Sequence, residues 1–409
     1  MKNFIFRTFI TFSVIFIFAF CGTMLIETTN KQALNTVVNV EPEIINGKVE
    51  IPESPPKVLA NYKFSEFYFY SNFVLMILVP ILFFKFRAID IVKNKKCKYN
   101  FTNGILIYLL YFAFSEVLSF PVVLLSSFYR ARLVGLSHQS FIDFIANFSE
   151  NFIINLIVTA PIIALIYVIF IRKKRWYILA SVVLIITSVL ATYAYPYIDE
   201  IENTLVPMES SELKDKLNQL ATKAGIDNLD IMVIEKSSQT SGMNAYMTGI
   251  NNSRRIVFWD TTLSNLSEKE ILSVAGHEMG HYKLGHIQQS MIFGCIGIVI
   301  ACILVDIIMK KLKGREYRTI DNIAVVIIVV NIIMIISTPI ENAYSRKIET
   351  DADKFAVEVT GDSTTNAILE IRFINSNLSP VTVDKLYEIL ALDHPTAKER
   401  IEASNNIEK

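Results

Sequence analysis

Residues 323–340 read IAVVIIVVNIIMIISTPI, eighteen positions without a charged side chain, and Glu341 opens a polar run directly behind them. A helix needs about 20 predominantly apolar residues to cross the hydrocarbon core of a bilayer. Working outward, six further stretches approach that length, at roughly 8–26, 67–84, 101–129, 152–171, 176–198 and 289–305. Hydrophobic residues make up 52% of the chain and charged residues 19%, below the roughly 25% charge of a soluble domain. Together these features predict an α-helical integral membrane protein with seven spans. Cationic and anionic residues balance at 39 each, which gives no basic excess for a nucleic-acid partner. The partners to expect are membrane lipids and whatever the polar regions bind.

Only the third stretch holds a charge, Glu116. An ionisable residue at membrane depth is a functional candidate by default. The alternative is that Pro121 breaks the stretch and leaves Glu116 near a helix end. The first stretch reads as a retained span, since Phe18, Phe20 and Met24 offer no clear small-residue cleavage site. Cys21, Cys97, Cys295 and Cys302 form no CxxC pair and read as small hydrophobes.

The polar remainder sets the organisation: a five-span region 1–198, a first extramembrane part 199–288, a two-span hairpin 289–340, and a tail 341–409. Within 199–288, Ser210 to Ala224 has helical amphipathic spacing and stops at Gly225. Leu229–Ile234, Asn244–Gly249 and Arg255–Asp260 read as strands, the last two joined by a turn at Ile250-Asn251-Asn252-Ser253. Ser267 with Glu270 gives a capping-box start to a helix expected to run on toward the sixth span.

That helix carries His277-Glu278-Met279-Gly280-His281. Residues four apart share a helical face, so both imidazoles of an HExxH motif can converge on one ion, and zinc suits such nitrogens. Glu278 stands beside that face, placed to act as general base toward water at the metal. A catalytic zinc usually takes three protein ligands. Just past the seventh span, Glu349 and Asp353 lie four apart on a predicted helix. One reading puts Glu349 on the zinc, with Asp353 buttressing a ligand imidazole. The other makes both part of a solvated acidic face, and spacing alone leaves the choice open. On a straight helix His286 falls about half a turn from His277 and cannot join the same ion.

Four motifs, in this order, carry a resemblance: Ser241-Gly242-Met243-Asn244-Ala245-Tyr246; Ala275 to His286 around the HExxH; Ser345-Arg346 with Glu349, Ala352-Asp353 and Phe355-Ala356; and Asp393-His394-Pro395-Thr396 with Glu399-Arg400-Ile401. With five spans before HExxH and two after, the chain resembles the type I CaaX prenyl proteases, membrane zinc endopeptidases. The resemblance implies a seven-helix barrel around a chamber, capped by a small α+β zinc domain of gluzincin type. It implies Zn2+ on His277, His281 and Glu349, with Glu278 catalytic. It further implies Asp353 behind the ligands, Arg400 facing the site from the tail and holding either Asp353 or the substrate, Asn244 beside the substrate chain, and His394 facing the reaction, where it can donate to an oxyanion. The substrate is then a peptide or protein, lipid-modified or membrane-bound. The paired glutamates of eukaryotic members after the third span are replaced here by Arg130, Arg132 and Gly135 to Ser140, which is closer to bacterial members. The zinc chemistry therefore carries over better than the CaaX substrate. A quality-control protease for damaged membrane proteins is the alternative enzyme. A membrane scaffold with a vestigial metal site is the non-enzymatic one, although such a scaffold needs no general base.

Cationic clusters after spans two, four and six fall on the same side as Lys2 and Arg7. The positive-inside rule puts that side in the cytoplasm and the zinc domain outside. The eukaryotic members of the resembled family imply a cytosolic zinc domain, so the two readings diverge.

Overall fold

A computed structural model describes residues 1–95, 98–249 and 253–407. Ile250–Asn252 of the expected turn, and Cys97, lie outside the described residues. Seven helices are long and apolar enough to span: Lys2–Thr29, Pro56–Lys85, Asn100–Leu133, Phe141–Arg172, Trp176–Ile201, His286–Lys313 and Ile320–Thr360. In their most apolar windows only 11–33% of residues are buried, so most of this greasy surface faces outward, as lipid contact requires. Packing partners close a ring: span one touches three, three touches four, then five, six, seven and two follow, and two returns to one.

The third span does not break at Pro121. Its α-helix runs from Asn100 to Val123 and continues as a π-helical turn over Leu124–Arg130. Glu116 is therefore well inside the helix, not near its end. A proline is tolerated because only the amide at its own position is lost, and neighbouring helices brace the kink. Of the cysteines, Cys302 is buried, Cys295 intermediate and Cys21 exposed, and all three are free.

A separate core fills the extramembrane part, around Leu217, Ile226, Ile256, Phe258, Ala275 and Met279. Its sheet has four strands in the order Leu205–Pro207, Asp230–Ile234, Arg255–Trp259, Ala245–Thr248. The middle pair is parallel and the outer pairings antiparallel. The strand Leu205–Pro207 was not expected from sequence: it is three residues long and ends on a proline, which confines it to an edge. At the opposite edge Ala245 faces Phe258 and Met247 faces Ile256, leaving the other side of Ala245–Thr248 without a strand neighbour among the described residues.

Span five reaches into this sheet. Tyr246 Oη donates to buried Asp199 at 2.6 Å, Arg255 Nη1 meets Glu200 at 2.6 Å, and Lys236 Nζ meets Asn203 at 2.8 Å. The loop between spans one and two is strapped across the tail. Asn375 brackets the Val40 backbone at 2.8 and 2.9 Å, and Asn405 brackets Val49 at 2.9 and 2.8 Å. These ties hold the helices Ser363–Asn377 and Ala397–Asn405 that wall the site.

Candidate metal centre

The helix Glu268–Lys283 opens on the Ser267–Glu270 capping box, as its sequence suggests. Its first two turns bury Ile271, Val274 and Ala275, which leaves His277, Glu278 and His281 on the face turned to the site. Against it lies the last span's helix, which runs unbroken from Ile323 to Thr360 and so carries Glu349 and Asp353 out of the membrane on a rigid rod. The two helices approach closely because Gly276 and Gly280 lack side chains. A Cβ at Gly280 would sit 3.1 Å from Phe355 Cβ and 3.2 Å from Ala352 Cα, and one at Gly276 would sit 3.2 Å from Ala356 Cα.

This approach brings three donors together. Ligand atoms of His277, His281 and Glu349 all lie within 4.8 Å of one another. The two Nε2 atoms are 3.1 Å apart, and Glu349 reaches His277 Nε2 at 3.2 Å and His281 Nε2 at 3.3 Å. Behind His277, Nδ1 meets Asp353 Oδ1 at 2.8 Å. Arg400 clasps Asp353 through Nε at 2.8 Å and Nη2 at 2.6 Å, and turns Nη1 to Glu370 at 2.9 Å. With Nδ1–H donated to Asp353, the lone pair of His277 Nε2 points at the other donors.

The residues fit a cation. Glu349 Oε2 is buried and makes no well-aligned hydrogen bond among the described residues, although His277 Nε2 stands 3.2 Å and His394 Nε2 3.4 Å from it. A buried anionic oxygen left so is costly unless something positive meets it. His277 registers the same demand. Its burial disfavours the imidazolium, yet the Asp353 and Glu349 carboxylates outweigh that and hold its pKa up at about 10. A site that draws a proton so strongly presents a field that a metal ion can take over.

The remaining predicted residues surround this cluster. Glu278 Oε2 accepts the Met247 N–H at 3.2 Å, so the base candidate is tied to the free side of the edge strand. Burial pushes the Glu278 carboxyl up, against the lowering fields of His277 and His281. Asn244 is exposed and lines a cavity of about 300 Å3 with His277, Glu278, His394 and Arg400. Its backbone is fixed by Thr262, whose hydroxyl accepts Asn244 N–H at 2.9 Å and donates to the carbonyl at 2.7 Å. His394 brings Nε2 to 3.4 Å from Glu349, with Nδ1 on Asp393 at 2.9 Å. That hydrogen bond raises its pKa against the partial desolvation of the ring.

Two residues were missed by sequence reasoning. Glu370 walls the cavity and holds Arg400; burial pushes its pKa up to about 7 although Arg400 opposes this. His286 was set aside on the assumption of a continuous helix. The helix instead ends at Lys283, Gly285 takes φ +70, and a new helix starts at His286. His286 Nδ1 then lies 3.0 Å from His281 Nδ1. The αL glycine two positions past Lys283 was the available signal.

The profile of peptidase family M48 matches residues 207–408, the stretch that holds every donor just described. Residues 207–408 of this chain are a peptidase family M48 domain. Relatives extend the likeness into the membrane region. An uncharacterized metalloprotease YhfN of Bacillus subtilis is 26% identical over 391 residues, covering 88% of this chain and 89% of its own. A CAAX prenyl protease 1 homolog of Dictyostelium discoideum is 29% identical over 244 residues, 57% of this chain and 55% of its own. The crystal structure of S. mikatae Ste24p superposes with TM-score 0.73 at 22% identity, covering 96% of this chain and 99% of that one. That likeness shows the fold, a chambered seven-helix membrane barrel capped by the peptidase domain. This M48 protein is accordingly a multi-pass membrane metalloendopeptidase: it hydrolyses peptides or proteins and uses a metal cofactor. The scaffold reading is not favoured.

Proposed function

We propose that the metal is zinc, held by His277, His281 and Glu349, and that the enzyme cleaves extended peptide segments beside the Ala245–Thr248 edge. Two imidazoles and a carboxylate are a zinc donor set. Donors at zinc distances in a tetrahedral site stand roughly 3.3 Å from each other; the two Nε2 atoms here are 3.1 Å apart, with one Glu349 oxygen 3.2 Å from His277 and the other 3.3 Å from His281. When bound, zinc supplies Lewis acidity to the scissile carbonyl and lowers the pKa of water beside it.

The chain's own residues do the rest. The substrate backbone pairs with the open side of the edge strand, in the β-augmentation mode, with the Asn244 side chain beside it. Glu278 accepts the proton of the attacking water as the water oxygen bonds to the carbonyl carbon. It returns that proton to the amine nitrogen when the C–N bond breaks. An upward pKa suits a carboxylate that must both take and return a proton. His394 donates from Nε2 to the oxygen that gains charge. Arg400 fixes Asp353, which fixes the tautomer of His277. The observation that carries this reading is the position of Glu278, tied to the edge-strand amide beside the three donors.

The substrate class follows from the binding mode. Main-chain pairing reads any extended segment, so a prenyl group is an addition and not a requirement. The CAAX prenyl protease name belongs to relatives such as the Dictyostelium protein, which matches over little more than half of each chain. Purified protein is expected to cleave an unmodified internally quenched peptide, and its farnesylated twin with a kcat within about one order of magnitude, since a buried lipid chain adds uniform binding, which lowers KM, more than transition-state stabilisation. Cleavage of the farnesylated peptide alone would contradict this and point to a dedicated CaaX enzyme.

A further inference from the structure

We propose that His286 is a positioning residue of the metal centre, accepting the Nδ1–H of His281 and so holding the Nε2 lone pair of His281 toward the ion. The proposal rests on the zinc reading above and adds a residue to it.

The hydrogen count around His281 leads there. Its Nε2 faces His277 Nε2 at 3.1 Å and Glu349 Oε1 at 3.3 Å, the corner where a cation would sit. A neutral imidazole that offers a lone pair at Nε2 carries its proton at Nδ1. A buried N–H needs an acceptor, and the neighbour of His281 Nδ1 is His286 Nδ1 at 3.0 Å. Two imidazole nitrogens at that distance make one hydrogen bond, with one donor and one acceptor. If His281 donates, His286 is the acceptor and carries its own proton on Nε2. The rings stand edge to face, 5.0 Å between centroids at 73°, which points one ring's N–H at the other's nitrogen.

The backbone is built for this contact. On a straight helix a residue five positions after His281 would turn away. Gly285 at φ +70 ends the first helix and starts the next at a new angle, and His286 becomes its first residue. His286 is 4% exposed, although a histidine opening a membrane span could reach the interface at little cost. The two ligand imidazoles thus have unequal supports. His277 leans on the Asp353 carboxylate with Arg400 behind it, and His281 leans on a neutral ring. With Glu278, Glu349 and Asp353 already in the cluster, a neutral acceptor avoids a fourth buried negative charge.

The test uses the full-length protein in nanodiscs, with zinc affinity measured by competition against a chromophoric chelator. His286→Leu is expected to weaken zinc about 10–100-fold, the range found when groups that orient ligands are lost. His286→Gln, whose side-chain oxygen can accept the same N–H, is expected to recover most of that loss. A loss of packing alone would not discriminate the two variants. Should the Leu variant fail to fold, 15N-histidine spectra of the zinc-loaded wild type still decide, because His286 must show an unprotonated Nδ1 and its proton on Nε2. Equal zinc affinity in wild type and His286→Leu, or a proton on His286 Nδ1, overturns the proposal while leaving the zinc reading intact. A wild type that binds no zinc overturns the underlying reading and this proposal together.

Discussion

Glu278→Gln is expected to lower peptide hydrolysis by roughly 10²–10⁴-fold, the usual contribution of a positioned general base, with no loss of bound metal. Glutamine keeps the shape of glutamate and can still accept the Met247 N–H that holds the side chain at 3.2 Å. What it loses is the capacity to take a proton. The proposed metal donors are other residues, so the loaded site is expected to survive and substrate binding to change little. The loss should then fall on kcat more than on KM. Steady-state kinetics on a quenched peptide, with metal content measured on the same preparation, separates the two effects. Activity within a few-fold of wild type would remove Glu278 from the mechanism.

Gly280→Val is expected to abolish most metal binding without altering any residue that touches the metal. Gly280 is the point where the HExxH helix meets the last span's helix, and even a Cβ there would sit 3.1–3.2 Å from Phe355 and Ala352. Valine adds two further methyl groups to a space that admits none. Overpacking of this kind costs about 1–3 kcal/mol and is relieved by moving the helices apart. Glu349 lies on the displaced helix, one turn before Ala352 and Asp353, so its carboxylate retreats from both imidazoles. Zinc affinity should fall at least about 10-fold, as when ligands lose their orientation. Gly294→Val is the control: it lies on span six, where an added Cβ meets nothing within 4 Å. Equal zinc affinity in Gly280→Val and wild type would mean that the helix approach does not set the site.

How much of this was readable beforehand depends on distance along the chain. The spans declare themselves because a bilayer demands long uncharged runs, and all seven stretches lie within helices long and apolar enough to cross. The paired imidazoles are visible because HExxH is local and one helical face suffices to join them. Glu349 is different: spacing left it level with an acidic surface face, and only the resemblance singled it out. The contact that brings it to the histidines is made by Gly276 and Gly280 against Ala352 and Ala356, small residues whose role is an absence of side chain. His286 stays outside the group of three donors, as its spacing suggested, but its contact with His281 was not foreseen, for one reason. A straight helix was extrapolated through Gly285, and a single αL residue redirected the chain. Pro121 left two readings of Glu116 open, and the helix absorbs the proline. The ring order of the spans depends on packing between distant segments and has no signature in any one of them.

The most direct measurement is zinc content by elemental analysis of purified wild type and Glu349→Ala protein, each stripped and reloaded with equimolar zinc. One zinc per wild-type chain, and a Glu349→Ala protein that fails to hold it through desalting, is the expected result. A wild type without stoichiometric metal, or a Glu349→Ala variant that retains it as well as wild type does, would contradict the joint grip of two imidazoles and one carboxylate.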